Sequence, residues 1–263
     1  MQYCLARPFR VRALSLSLAR TPIGHTVHMA SAVIFDFYGT LAHWHDRDNA
    51  NYQSAFARHG YEAPDDVLTA YFSRYDGVEH SEHSVSEATY EAWVRSRLHE
   101  LTRECGVAES DRETLVTALR AMDQSPMVAY PEAAETLRTL RDGGWTIAVC
   151  SNWGWELDAY LREVGLWAFV QSAVTSARAG ARKPHPSIFT HTVEVLGIDP
   201  GDAVFVGDSW EPDVEGPRRA GMTAVHVWRP EEQPGVYPPE LPEGAHRVAD
   251  LTGLLPLLNL VSR

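Results

Sequence analysis

Four short apolar runs in this chain each end abruptly in polar or turn-forming residues, and helical patterns separate them. Ala32-Val33-Ile34-Phe35 stops at Asp36, with Gly39-Thr40 close behind. Trp145 to Cys150 stops at Ser151-Asn152, Asp202 to Val206 at Gly207-Asp208-Ser209, and Thr223 to Trp228 at Arg229-Pro230. A short apolar run bounded by turn residues reads as a buried strand. Phe169–Thr175 is a weaker candidate of the same kind. Between these runs the spacing turns helical: Glu132–Arg141 is entered through Pro131 and closed by Gly143-Gly144, and Trp155–Val164 is closed by Gly165. Pro186–Leu196 ends at Gly197, and Val214–Ala220 at Gly221. Strands alternating with helices predict an α/β fold, a doubly wound (Rossmann-like) parallel sheet covered on both faces. Ligands bind such sheets beyond the carboxyl ends of the strands, where Asp36, Ser151 and Asp208 all fall.

Residues 46–126 break the alternation. They read as successive helices, Asn49–His59, Asp65–Tyr75, Val85–Cys105 and Ser110–Met122, with no strand signal. Tyr90, Trp93, Val94, Leu98 and Leu101 recur at helical spacing in the third. The expected division is therefore an extension at residues 1–30, an α/β core at 31–45 and 127–263, and an inserted all-helical cap at 46–126. Pro230–Pro242, rich in Pro and Glu, reads as a surface loop.

Charge and composition narrow the function classes. The formal net charge is −12, which gives no support for a nucleic-acid partner. Residues 1–35 hold four arginines and no acid, so the acidic excess falls on the rest. A local positive site can still hold a small phosphate. Three cysteines, Cys4, Cys105 and Cys150, are too few and too scattered for a disulfide framework or a zinc site, which fits a reducing cytoplasm. No run of eighteen apolar residues occurs, so neither a transmembrane helix nor a membrane partner is expected. The acid-free segment from Met1 to about His28 has two readings, a transit peptide or an upstream extension of the reading frame. Met29, just ahead of the first strand, favours the extension. Under either reading residues 1–30 are expected to be poorly ordered.

Four positions carry the chemistry. Asp36 stands at a strand end, where a carboxylate either caps a turn or acts as a nucleophile that forms an acyl-phosphate. Lys183 is the only lysine in a chain with 22 arginines. In a composition so biased toward Arg, a lone Lys just ahead of a helix argues for a compact ammonium facing a phosphoryl group and a carboxylate. Asp208 and Asp213 follow the third strong strand. Mg²⁺ takes one or two carboxylates plus water and substrate oxygens, which Asp36 and Asp208 on neighbouring strand ends would supply. Asp213 also suits a helix N-cap. Ser151, at a strand-to-helix turn, suits a phosphate oxygen or a simple cap.

Taken in order, these elements resemble the haloacid dehalogenase-like hydrolase superfamily. The likeness covers roughly residues 31–230 and rests on Asp36-Phe37-Tyr38-Gly39-Thr40, Ser151-Asn152, Lys183-Pro184, and Gly207-Asp208-Ser209 with Asp213. The insert looks like that superfamily's helical cap of the first type. The stretch from Val149 through Pro217 is similar to the subgroup of L-2-haloacid dehalogenases and small-molecule phosphatases. The resemblance implies that Asp36 attacks phosphorus, and that Asp36, the Tyr38 carbonyl and Asp208 bind Mg²⁺. It implies further that Phe37, Tyr38, Ser151, Asn152 and Lys183 surround the phosphoryl group, while Ser209 and Asp213 support the metal site.

One position departs from that pattern. Superfamily phosphatases usually carry a second Asp two residues after the nucleophile, as proton donor and later as base. Here that residue is Tyr38, whose ordinary pKa of about 10 makes a poor acid near neutrality. His43 and His45 lie close enough in sequence to be alternative donors. Tyr at this place is what the metal-free haloacid dehalogenases have, so 2-haloacid dehalogenation with Asp36 attacking carbon is the alternative activity. Those enzymes, however, usually lack the Gly-Asp aspartate kept here as Asp208. Without a cation, a second carboxylate ~4 Å from Asp36 costs about 4 kcal/mol at an effective dielectric of ~20. Phosphonate hydrolysis through a cap lysine is excluded, because the cap has none. A third reading is a catalytically weak module that binds phosphate or a partner. The expectation is Mg²⁺-dependent hydrolysis of a small phosphorylated metabolite.

Overall fold

The computed structural model describes residues 32–45, 51–122 and 126–261. The expectation for residues 1–30 lies outside them. The described chain opens on β1 (Ala32–Phe35) and a short β2 (Ala42–Trp44). It then runs through α1 (Tyr52–Arg58), α2 (Asp65–Ser73), α3 (Glu87–Glu104) and α4 (Glu109–Met122) to β3 (Met127–Ala129). Strands and helices alternate from there: α5 (Ala133–Asp142), β4 (Thr146–Ser151), α6 (Leu157–Glu163), β5 (Ser172–Thr175), α7 (Ser176–Ala179) and α8 (Pro186–Leu196). The chain finishes with β6 (Ala203–Gly207), α9 (Gly216–Arg219), β7 (Thr223–Val227), β8 (Ala245–Val248) and α10 (Leu254–Val261).

Six of the strands form one sheet in the order β5-β4-β1-β6-β7-β8, every pair parallel. The first strand of the chain is thus central, paired along Thr146–Val149 on one side and Ala203–Val206 on the other. Its alternation explains the uninterrupted apolar run. Val33 and Phe35 join the cluster under α5, α6 and α10, whereas Ile34 joins the opposite one against Ile188, Phe189 and Val193 of α8. A strand buried on both faces has no polar side. The doubly wound expectation is met.

Three features went beyond the sequence expectation. β8 adds a sixth strand, whose polar centre, His246-Arg247, hides the strand signal at a sheet edge. β2 and β3 pair antiparallel at the two stems of the insert, Ala42 opposite Ala129, in strands of only three residues each. The helix expected at Val214–Ala220 is instead a π-helical turn, Trp210–Glu215, followed by α9. Pro217 lacks an N–H and so sits in the first turn of the restarted helix.

Helices α1–α4 bury an apolar cluster of their own, including Phe56, Leu68, Leu98, Leu101, Leu115 and Leu119. The connection between α2 and α3 also leans on the core. His80 N–H donates to the Gly180 carbonyl (2.6 Å), Arg182 N–H to the Val78 carbonyl (3.0 Å), and Gly77 N–H to the Lys183 carbonyl (3.3 Å). The insert is therefore hydrogen-bonded to the loop that carries Lys183. Among the described residues no helix is long and apolar enough to cross a membrane. Because Leu101 is wholly buried inside the insert's cluster, Leu101→Ala should lower stability by about 2–5 kcal/mol in urea denaturation.

Candidate active site

β1 delivers Asp36 beyond the sheet, where its N–H still donates to the Val206 carbonyl of β6 (2.8 Å). Phe37 turns back into the core, edge-on to Trp153 with ring centres 5.3 Å apart. Leu41 and Ala42 N–H groups donate to the Phe37 carbonyl, folding residues 37–42 into a tight loop. Gly39 sits in that loop at φ +80, and a Cβ there would lie 2.4 Å from the Asp208 carboxylate. Only glycine permits both the backbone angle and the approach. Gly207, on the neighbouring strand, allows a similar approach, since its Cβ would lie 2.4 Å from the Asp213 carboxyl carbon. Asp208 accepts from the Thr40 hydroxyl (3.4 Å), and Asp213 from the Ser209 N–H (3.0 Å).

Lys183 joins these groups. Only 1% of it is exposed, and its Nζ donates to Asp36 Oδ1 at 2.7 Å and to Asp213 Oδ1 at 2.6 Å. Asn152 holds its backbone from both sides. The Asn152 amide donates to the Lys183 carbonyl (2.9 Å), and its Oδ1 accepts the Lys183 N–H (2.6 Å). Asn152 still lines the cavity, but its side chain is spent on positioning the lysine loop. That cavity, about 250 Å³, is lined by Asp36, Tyr38, Ser151, Lys183, Ser209 and Asp213 together with Trp44, Trp153 and Pro212. With Asp208 beside Asp36, every expected strand-end residue comes to one place.

The charges there do not balance. Asp36, Asp208 and Asp213 offer carboxylate oxygens all within 4.8 Å of one another, against the single ammonium of Lys183. Burial, then the charges of Asp36 and Asp213, push the Asp208 carboxyl up to about 8. Burial raises Asp213 to about 6, with Lys183 opposing and Asp36 adding. Burial alone would lower Lys183, but the Asp213 and Asp36 charges outweigh it and raise it above the ordinary lysine value. Three carboxylates and one ammonium leave a formal charge of −2, and the oxygen-only donor set matches what a hard divalent cation such as Mg²⁺ takes.

Tyr38 is 39% exposed at the cavity mouth, its ring 5.9 Å from that of Trp44. His43 turns elsewhere: its Nδ1 donates to the Trp44 carbonyl (2.8 Å) and its ring meets Tyr130. Neither His43 nor His45 lines the cavity that holds Asp36. One support was not foreseen. Arg247 Nε donates to His226 Nδ1 (3.1 Å), and His226 Nε2 donates to the Asp208 carbonyl (3.0 Å). Burial lowers the His226 pKa, in keeping with a neutral ring that carries its proton on Nε2. Arg247 lies on β8, so without that strand the relay was invisible.

Residues 30–221 match the haloacid dehalogenase-like hydrolase family, and the chain belongs to it. A glyceraldehyde 3-phosphate phosphatase of Methanopyrus kandleri is 37% identical over 101 residues, 38% of this chain and 43% of that protein. An (S)-2-haloacid dehalogenase 4A of Burkholderia cepacia is 33% identical over 132 residues, 49% of this chain and 55% of that protein. The chain spans about half the length of such curated relatives. Among solved structures, a 2-haloacid dehalogenase from Pseudomonas syringae pv. Tomato DC3000 superposes with a TM-score of 0.60. The superposition covers 88% of this chain and 99% of that one at 22% identity, a likeness of fold alone.

The raised Asp208 pKa has a consequence for stability. Between about pH 4 and about 8 the native state holds a proton that the unfolded state has lost, so this contribution is fully present below that window and is lost as pH rises through it. Asp213 adds in the same direction up to about pH 6. In EDTA, the melting temperature should fall from pH 5 to pH 8.5. The fall should be smaller in Asp208→Asn, and an equal fall in both proteins would contradict the assignment.

Proposed function

We propose that the chain hydrolyses the phosphate ester of a small metabolite, with Asp36 as nucleophile and Mg²⁺ as cofactor. One observation carries this reading: Asp208 stands beside Asp36 in a cluster whose three carboxyl groups outnumber its single lysine. A site that displaces halide without a metal gains nothing from that extra carboxylate, whereas a divalent cation balances it. Asp36, Asp208 and the Tyr38 carbonyl would hold the ion, with Ser209 and Asp213 supporting them. When bound, it neutralises the carboxylates and withdraws charge from the phosphoryl oxygens.

Each residue of the cluster has a separate task. An Asp36 oxygen attacks phosphorus, the ester P–O bond breaks, the alcohol leaves as its alkoxide and takes a proton from solvent, and an aspartyl-phosphate forms. Water then attacks the same phosphorus, the Asp36–phosphorus bond breaks, and orthophosphate leaves with the carboxylate restored. Lys183 has three N–H donors and uses two on Asp36 and Asp213; the third serves a phosphoryl oxygen. Ser151 offers a further donor from the end of β4, and Phe37 anchors the loop from within the core. Tyr38 occupies the place of the usual proton donor, so esters with good leaving groups react fastest. The insert at 46–126 serves as the cap that closes over the substrate. Cys105 and Cys150 are both free, which suits a reducing cytoplasm.

Tyr38 also favours a second reading, 2-haloacid dehalogenation, the activity in the name of the Burkholderia relative. Paired assays separate the two. Phosphate release from a phosphomonoester panel should require Mg²⁺, vanish in EDTA, and fall more than about 10³-fold in Asp36→Asn. Halide release from 2-chloropropionate that survives EDTA, with no phosphate release, would reverse the assignment. Tyr38→Asp should raise phosphate release by up to about 10²-fold, most for esters with poor leaving groups.

A further inference from the structure

A second cavity, about 210 Å³, adjoins the one that holds Asp36, and the two share Trp44, Asn152 and Trp153. Its lining carries three arginines, Arg97, Arg120 and Arg182, against one acid, Glu156. That is a local positive excess in a chain of net charge −12. Arg120 is neutralised, because its guanidinium makes a two-point pair with Glu91 at 3.0 and 2.6 Å. Arg97 and Arg182 are not.

Arg97 projects from α3 and is only 9% exposed. Its guanidinium lies over the rings of Tyr75 at 3.2 Å and Trp93 at 4.6 Å. Ring faces attract the charge but leave the in-plane N–H donors unused. Nε of Arg97 is buried with no hydrogen-bond partner, and so is Nε of Arg182. Asp76 acts on both arginines electrostatically without pairing with either. Burial, with the charge of Arg97 adding, pulls the Arg182 guanidinium below its ordinary value. Both arginines line one cavity and each carries a buried Nε–H without a partner, an arrangement that is costly unless an anion arrives to balance the charge.

The backbone explains why the second cation sits there. Arg182 directly precedes Lys183, and its N–H is held by the Val78 carbonyl of the insert (3.0 Å), while Asn152 clamps Lys183 from the core. Consecutive side chains of this loop therefore serve adjacent cavities, Lys183 beside Asp36 and Arg182 beside Arg97.

We propose that Arg97 and Arg182 form a subsite for a second anionic group of the substrate, a carboxylate or a second phosphate. This rests on the reading of Asp36 as the centre of phosphate-ester hydrolysis. The substrate is then a short organic phosphate that is anionic at both ends. Its reacting phosphate meets Lys183 and its distal anion meets the arginines, with Tyr71, Tyr90 and Trp153 walling the carbon skeleton. Planar guanidiniums suit this task because each offers paired donors to a carboxylate or phosphate. One arginine comes from the insert and the other from the core, so the distal anion bridges the two and links closure to the correct ligand.

The test is calorimetry on the Asp36→Asn protein with Mg²⁺, using matched ligands. 2-Phosphoglycolate against ethyl phosphate reports the carboxylate, and propane-1,3-diyl bisphosphate against propyl phosphate reports the second phosphate. At least one doubly anionic ligand should bind about tenfold tighter than its partner. That ratio should fall toward one in Arg97→Met and in Arg182→Gln, and Arg97→Lys should retain some of it. Ratios of one in both pairs overturn the subsite with no arginine variant needed. Turnover of the same four esters by the unmodified protein separates the two claims. The expected binding ratios without any phosphate release sink the hydrolysis and leave the subsite. Release from all four at equal kcat/KM sinks the subsite and leaves the hydrolysis. No binding to the variant, together with no turnover of any ester by the unmodified protein, overturns both.

Discussion

The ammonium of Lys183 is shared between Asp36 and Asp213 at 2.7 and 2.6 Å, in a place almost closed to water. A buried charge in the interior costs several kcal/mol unless it is paired and hydrogen-bonded. Here one cation must serve three carboxylates, and the mismatch falls mainly on Asp208 and Asp213, whose pKa values rise. The arrangement resembles a socket more than a structural salt bridge. It holds the lysine charged, keeps the Asp36 oxygens oriented, and leaves more carboxyl groups than the one ammonium can pair.

Much of the surrounding structure serves to keep that socket closed. Gly39 and Gly207 let backbone approach the carboxylates of Asp208 and Asp213 where any side chain would collide. Asn152 fixes the lysine loop through two backbone hydrogen bonds, and the Arg247–His226 relay fixes the carbonyl of Asp208. The parallel sheet brings the ends of β1, β4 and β6 side by side, so three segments distant in sequence deliver their polar residues to one rim. The insert adds the other wall. Its hydrogen bonds to residues 180–183 place an aromatic and arginine-bearing surface against the same loop that carries the lysine.

Residue type and local periodicity were enough to read the central strands, the run of helices between β2 and β3, and the strand-end positions of Asp36, Ser151 and Asp208. Buried parallel strands are apolar throughout and stop sharply, so their ends are legible without neighbours. β8 was not, because an edge strand with His246 and Arg247 at its centre carries no apolar signature. β2 and β3 were too short to show a period. His43 looked available from its nearness to Asp36 in sequence, yet the strand pairing of β2 turns it toward Tyr130.

The sequence by itself determined the fold class, because alternating short apolar runs and amphipathic stretches admit few packings, and it singled out Lys183 by composition. It determined which residues stand at strand ends. Which of them touch was a tertiary decision. Lys183 meets Asp36 across 147 positions of chain, and Asn152 meets Lys183 across 31. No local pattern encodes such pairings, since they depend on strand order and on how two separately packed clusters meet. The same holds for Arg97 and Arg182, one on the insert and one on the core, which become a pair only where those two surfaces enclose a cavity.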